Sequence, residues 1–200
     1  MQSVMDAVIQ LIVFAIIPFV YWLMKFRKER RFTHWIGLRK MHFQNKTRAL
    51  IYAVICFTVL LISGILLLSF IEDKTLVANA HFSALSLQVV FAILVYSIVQ
   101  TGLAEELFFR GFLLKIFSGW WGFGAGNIIQ SLIFGLLHAV ILLTFLNPFL
   151  IIFIFIFSAS AGWLMGYLNE SLGNGSILPS WLIHSLMNIT SSFMLLLNIL

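Results

Sequence analysis

Charge is scarce in this sequence. Asp, Glu, Lys and Arg make up 10% of its 200 residues, and uncharged runs cover 7–24, 49–71, 75–104, 116–169 and 171–200. With 62% hydrophobic residues and a mean hydropathy of +1.06, a soluble domain of this length could not hide so much apolar surface. Cysteine is nearly absent as well. Cys56 stands alone, which excludes an internal disulfide and a cysteine metal cluster and leaves packing as its role. Strict period-two alternation is missing, which excludes the lipid-facing strands of a membrane barrel. There is no tandem repeat and no low-complexity linker. Basic residues follow the first apolar run instead of preceding it, and no small-x-small cleavage pattern closes it. A retained anchor is therefore expected in place of a signal peptide.

What remains predicts an all-α, polytopic membrane bundle of about six helices, forming a single integral-membrane domain over 1–200. Each uncharged run can supply a span of about 20 residues. The run 116–169 is too long for one and is divided by the turn signals Ser118-Gly119-Trp120-Trp121-Gly122 and Asn147-Pro148. Helices are expected near 124–146 and 149–168. The stretch 84–117 exceeds a perpendicular span, so it is either one tilted helix or broken near Gly102. Residues 1–83 read as a helix pair joined by a basic loop, and 84–200 as the candidate catalytic core.

The net charge of +5 does not point to nucleic acid, because nine of the twelve Lys and Arg residues fall between Lys25 and Arg48. A basic loop between two spans is the positive-inside pattern. The 24–48 loop is expected in the cytoplasm, resting partly on the anionic leaflet through Phe32, Trp35 and Ile36. The N-terminus, the 72–83 loop and the C-terminus then lie outside, with Lys115 and the 170–176 turn inside. Ser158, Gly162 and Gly166 form a small-residue stripe where another helix can approach closely.

Six polar residues in the apolar core need a reason, since an ionisable group near the bilayer centre costs roughly 2.5–3.5 kcal/mol. They are Glu105, Glu106, Arg110, His138, His184 and Asn188. Glu106 and Arg110, four apart, share a helix face about 40° apart and can pair as a salt bridge. Glu105 points about 100° away from Glu106, with Thr101 and Phe109 one turn on either side and no cation. A helix end at the interface is its bland explanation. For His138, and for the His184/Asn188 pair after Pro179, interhelical hydrogen bonding is the bland one. Ser176 or Ser180 can help cap that last helix. His34, His42 and His81 read as solvated. The coincidence of three helices, each carrying polar groups that could satisfy the others, favours convergence. Counted from the expected boundaries, Glu105 and His184 lie in the same leaflet, while His138 falls nearer the midplane.

Together these groups can hydrolyse an amide. Glu105 would act as general base on a water positioned by His138, and His184 and Asn188 would donate to the oxyanion. A site opening towards the cytoplasm is expected from the depth of Glu105. No serine or cysteine nucleophile stands out. Zinc held by Glu105, His138 and His184 is the alternative; however, the sequence has no His-Glu-x-x-His pair and asparagine is an uncommon zinc ligand, so a metal-free site is favoured.

Glu-Glu-x-x-x-Arg at 105–110, Phe-x-x-x-His at 134–138 and His-x-x-x-Asn at 184–188, with Ser176-x-x-Pro179 ahead of the last, resemble the CAAX-protease and bacteriocin-processing family. The resemblance spans about 84–197, and the chain looks like the compact bacterial members. It implies a multi-pass intramembrane endopeptidase, in a bacterial plasma membrane, acting on a membrane-embedded or lipid-anchored peptide or protein. It implies that Glu105 activates water with His138, that His184 and Asn188 hold the oxyanion, and that Glu106, Arg110 and Phe134 support them. Abortive-infection and bacteriocin-immunity proteins in the family supply the alternative, a non-enzymatic immunity or adaptor protein. A proton or solute transporter ranks last, because no inverted repeat is present.

Overall fold

The computed structural model describes residues 2–82 and 84–199, and among them there are helices and no strands. The long helices are α1 (Gln2–Lys25), α3 (Lys46–Phe70), α4 (Leu87–Val95), α6 (Leu114–Ile141), α7 (Pro148–Tyr167) and α8 (Leu178–Leu196). Between them lie the short α2 (Phe32–Ile36) and the three-residue α5 (Ala104–Glu106). Local caps start several of them. Asn45, Ser86 and Asn147 each accept a hydrogen bond from a backbone N–H of the first turn of α3, α4 and α7. Among the described residues, four continuous helical stretches are long and apolar enough to cross a membrane: Gln2–Lys25, Lys46–Phe70, Leu87–Ile141 and Pro148–Leu172.

The 55-residue stretch Leu87–Ile141 is a hairpin, so with α8 the described residues form six rods. It reverses at Gly122, whose φ of 82° and ψ of 161° suit glycine alone. Ser118 sits against Gly126, and the Phe109 and Phe134 rings meet edge-on at 4.8 Å. Counting outward from Gly122, these pairs put Glu105 level with His138. The expected depth mismatch disappears for this reason. The second arm also ends at Ile141 and not near 146, because residues 142–147 turn before the Asn147 cap.

The first arm does not break at Gly102. It runs on as a helix but widens into π-helical turns over Tyr96–Leu103 and Leu107–Leu113, with α5 between them. Gly102 is a contact point: a Cβ there would fall 2.8 Å from Ser185 Oγ of α8. The small-residue stripe on α7 meets α6, where a Cβ on Gly162 would lie 3.0 Å from Ser131 Cα. That seam is held by polar groups. Gln130 donates to the Gly162 carbonyl (3.0 Å) and to Asn127 Oδ1 (2.9 Å), and Asn127 donates to the Trp163 carbonyl (3.0 Å).

Trp35 and Ile36 do not rest on a leaflet. They are buried, 6% and 0% exposed, in a cluster with Leu107, Phe112 and Ile177. Trp35 packs on Tyr21, Phe26 and Phe112, filling a trough between α1 and the end of the π-helical arm, while Phe32 packs on Phe19 and Trp22. The basic segment is then stitched to the turn before α8: Ile177 N–H donates to the Gly37 carbonyl (3.0 Å), and the Ser176 hydroxyl to that of Arg39 (2.7 Å). Lys115 reaches Glu170 and the Gly175 carbonyl, both at 2.9 Å. At the opposite end, the connection after α3 is tied down by Asn79, whose amide donates to Ser191 and Ser192 of α8. Cys56 is buried against Leu60, Ala161 and Ile183, a packing role.

Gly122→Ala should cost about 1–3 kcal/mol by straining the hairpin turn. Thermal unfolding in detergent should show a lower midpoint, and an unchanged midpoint would count against the turn geometry.

Candidate active site

The site is built on the narrow α-helical segment between two wide turns. Ala104–Glu106 presents its two carboxylates to different surroundings, as the sequence geometry anticipates. Glu106 and Arg110 are both 0% exposed, and Nη1 stands 3.1 Å from Oε1. Among the described residues none of the three guanidinium nitrogens has a hydrogen-bond acceptor, Nη1 making only the ion pair; the group lies over the Phe134 ring, 4.3 Å from the centroid. A buried cation can use a ring face this way.

Glu106 does more than neutralise arginine. Its Oε1 receives His184 Nδ1 at 3.1 Å, and its Oε2 accepts the hydroxyl of Ser180. Ser180 is held in turn by Asn169, whose amide donates to its Oγ (2.6 Å) and whose Oδ1 accepts its backbone N–H (3.1 Å). Asn169 thereby satisfies one of the free N–H groups at the start of α8, where the residue ahead of the helix, Ile177, provides no side-chain cap. Sequence reasoning missed Asn169 and gave Ser180 only a capping role.

Glu105 is placed otherwise. Among the described residues its Oε2 is buried without a hydrogen-bond partner, and the nearest cationic candidate is His184 Nε2 at 3.8 Å. A carboxylate only accepts, so Nδ1 of His184 carries the proton given to Glu106, and Nε2 faces Glu105. His138 is fixed by the same logic. Its Nδ1 sits 2.9 Å from the Phe134 carbonyl, which can only accept, so a neutral ring keeps a lone pair at Nε2. Phe134 organises these groups: its ring is 4.4 Å from that of His138 and 6.4 Å, edge-on, from that of His184.

Asn188, one turn beyond His184, donates to Thr101 Oγ1 at 2.7 Å, and Thr101 donates to the Tyr96 carbonyl five residues back, at 3.1 Å. That five-residue step follows the π-helical turn. Glu105, Phe134, His138, His184 and Asn188 all line one cavity of about 550 Å³. Its other walls come from Leu60–Ile71 on and after α3, from Ile154–Met165 of α7, and from loop residues 76–79 and His81. His81 is thus at the cavity wall, its ring 5.9 Å from that of Tyr96. Among the described residues, no lining residue comes from the basic segment, and the cavity extends away from it.

Zinc would use Glu105, His138 Nε2 and His184 Nε2, donors of the right kind. Among the described residues, no three His, Cys, Asp or Glu side chains are gathered as a cation-binding set.

The fold and the cavity define a polytopic helical membrane protein with a glutamate–histidine site set among its helices. Residues 85–190, over half of the chain, match the family model of the type II CAAX prenyl endopeptidase Rce1-like proteins, and the chain belongs to that family. Membership supports CAAX-type intramembrane endopeptidase activity in general terms. No curated protein and no solved structure matches the chain.

Glu106→Gln leaves the Arg110 charge buried without a carboxylate, at a cost of about 3–5 kcal/mol. Folded yield and the unfolding midpoint should both fall, and wild-type values for both would refute a supporting role for this pair.

Proposed function

We propose that the protein hydrolyses a peptide bond within a membrane-embedded or lipid-anchored peptide or protein, with Glu105 as general base. The observation that carries this reading is the state of Glu105. Among the described residues it is the one carboxylate lining the cavity. Among those residues it has no hydrogen-bond partner at Oε2, and it shares the cavity with the imidazoles of His138 and His184 and the amide of Asn188. A structural carboxylate is normally satisfied, as Glu106 is.

In the proposed reaction, a water donates one hydrogen bond to His138 Nε2 and gives its proton to Glu105. The resulting hydroxide attacks the substrate carbonyl. The oxyanion accepts hydrogen bonds from Asn188, through the N–H not used by Thr101, and from Nε2 of a His184 ring protonated on both nitrogens. Glu106 holds that ring by Nδ1. Collapse of the intermediate expels the amine, which takes the proton from Glu105, so protons balance and the carboxylate is regenerated. The Asn169–Ser180–Glu106 chain keeps His184 aimed without touching substrate. Should zinc bind at Glu105, His138 and His184, it would polarise the water and the carbonyl.

Because the cavity extends away from the basic segment, substrate enters from the leaflet opposite that segment. With the 24–48 segment in the cytoplasm of a bacterial cell, that is the outer leaflet.

Glu105→Gln should lower cleavage of a membrane reporter peptide by about 10²–10⁴-fold while the protein stays inserted and monodisperse. Full turnover by this variant would remove the mechanism. Incubation with EDTA should leave the rate unchanged, and a loss restored by zinc would establish the metal-bound alternative.

A further inference from the structure

The family match begins at residue 85, yet the wall of the cavity that holds Glu105 includes one residue of α1, Gln10. It is the only Asn, Gln or charged residue in the run 7–24, so a span that otherwise avoids polarity carries one amide at the cavity. Its partner is Gln100, in the π-helical turn ahead of Glu105, with Nε2 of Gln100 3.3 Å from Oε1 of Gln10. Both residues are part-buried and both line the cavity. A glutamine amide offers two donors and an acceptor with two lone pairs. The single bond between them uses one donor and part of one acceptor. What is left over is the NH₂ of Gln10 and the carbonyl oxygen of Gln100, together with the second N–H of Gln100 and the second lone pair of Gln10. If the two amides are flipped, the same groups remain with the residues exchanged.

A free donor beside a free acceptor matches one peptide group, which has one C=O and one N–H. We infer that Gln10 and Gln100 form a subsite for a substrate peptide group next to the scissile one, and that α1 is therefore part of the substrate-binding wall. This rests on the peptidase reading. Gln10 donates to the substrate carbonyl and Gln100 accepts from the substrate N–H, in a register set by the π-helical turn. Apolar lining residues such as Ile65 and Phe157 can pack on substrate side chains but offer the backbone no hydrogen bond, whereas the two amides can.

The test uses a single-span reporter peptide in phosphatidylcholine vesicles, with each backbone peptide bond in turn replaced by an ester. An ester deletes the N–H and weakens the carbonyl as an acceptor. In wild type, one non-scissile position should lose about tenfold in kcat/KM, mostly through KM, as expected for about 1.4 kcal/mol of hydrogen bonding. In Gln10→Leu, the all-peptide reporter should lose a similar factor, and the ester at that position should cost less than about twofold more. Absence of any sensitive position in wild type overturns the subsite even if Gln10→Leu folds poorly. So does an ester penalty that survives in a folded Gln10→Leu. If wild type cleaves no reporter, the peptidase reading itself falls; if only Glu105→Gln is silent and Gln10→Leu is normal, the subsite alone falls.

Discussion

Everything at the centre of this bundle depends on how the Glu106–Arg110 charge pair is kept out of lipid and water. Both side chains are fully buried, and the ion pair alone leaves most of their hydrogen-bonding capacity unused. Three further helical elements make up part of the difference. Phe134 of α6 gives its ring face to the guanidinium, Ser180 and His184 of α8 engage the carboxylate, and Asn169 at the end of the α7 rod holds Ser180. Such a pair is a poor source of net stability, since desolvation offsets the attraction. The two charges pair within one helix, four residues apart, so what the neighbouring helices add is the hydrogen bonds and the ring face that a buried pair would otherwise lack. His184 is aimed as a by-product of that arrangement.

The same pair accounts for what was legible before folding. Helix content, the separation of a paired glutamate from an unpaired one, and the small-residue stripe all follow from local spacing, and local spacing survives folding. The family was legible because its motifs put unusual residues at fixed intervals in an apolar background. The rest required distances between elements far apart in the chain. Asn169, Thr101 and Gln100 sit in no motif, and each acquires meaning from a partner on another helix or from a π-helical turn. The step of about 100° per residue assumed for an α-helix does not apply on either side of α5. Gln10 could have been found: the cost argument used for the six core residues applies equally to a lone amide in an apolar run.

Trp35 and Ile36 show the opposite limit. Aromatic and aliphatic residues within a basic loop fit a membrane surface and a protein groove equally well by composition. Here a groove exists between α1 and the π-helical arm, and the side chains fill it. The basic segment becomes a seal over one end of the core, which leaves the cavity to extend towards the other.

The wide turns on either side of the two glutamates carry a further implication. A π-helical turn is an α-helical turn with a residue to spare, and it persists only while packing holds it open. The glutamates therefore sit between two turns that have length to give: loss of one residue from Tyr96–Leu103 would let that turn close to an ordinary α-helical one with its flanks nearly in phase, whereas loss of one from Ala104–Glu106 would turn the helix by about 100°. Length can be lost from the wide turns with little change of phase, and not from the narrow segment that carries the two carboxylates.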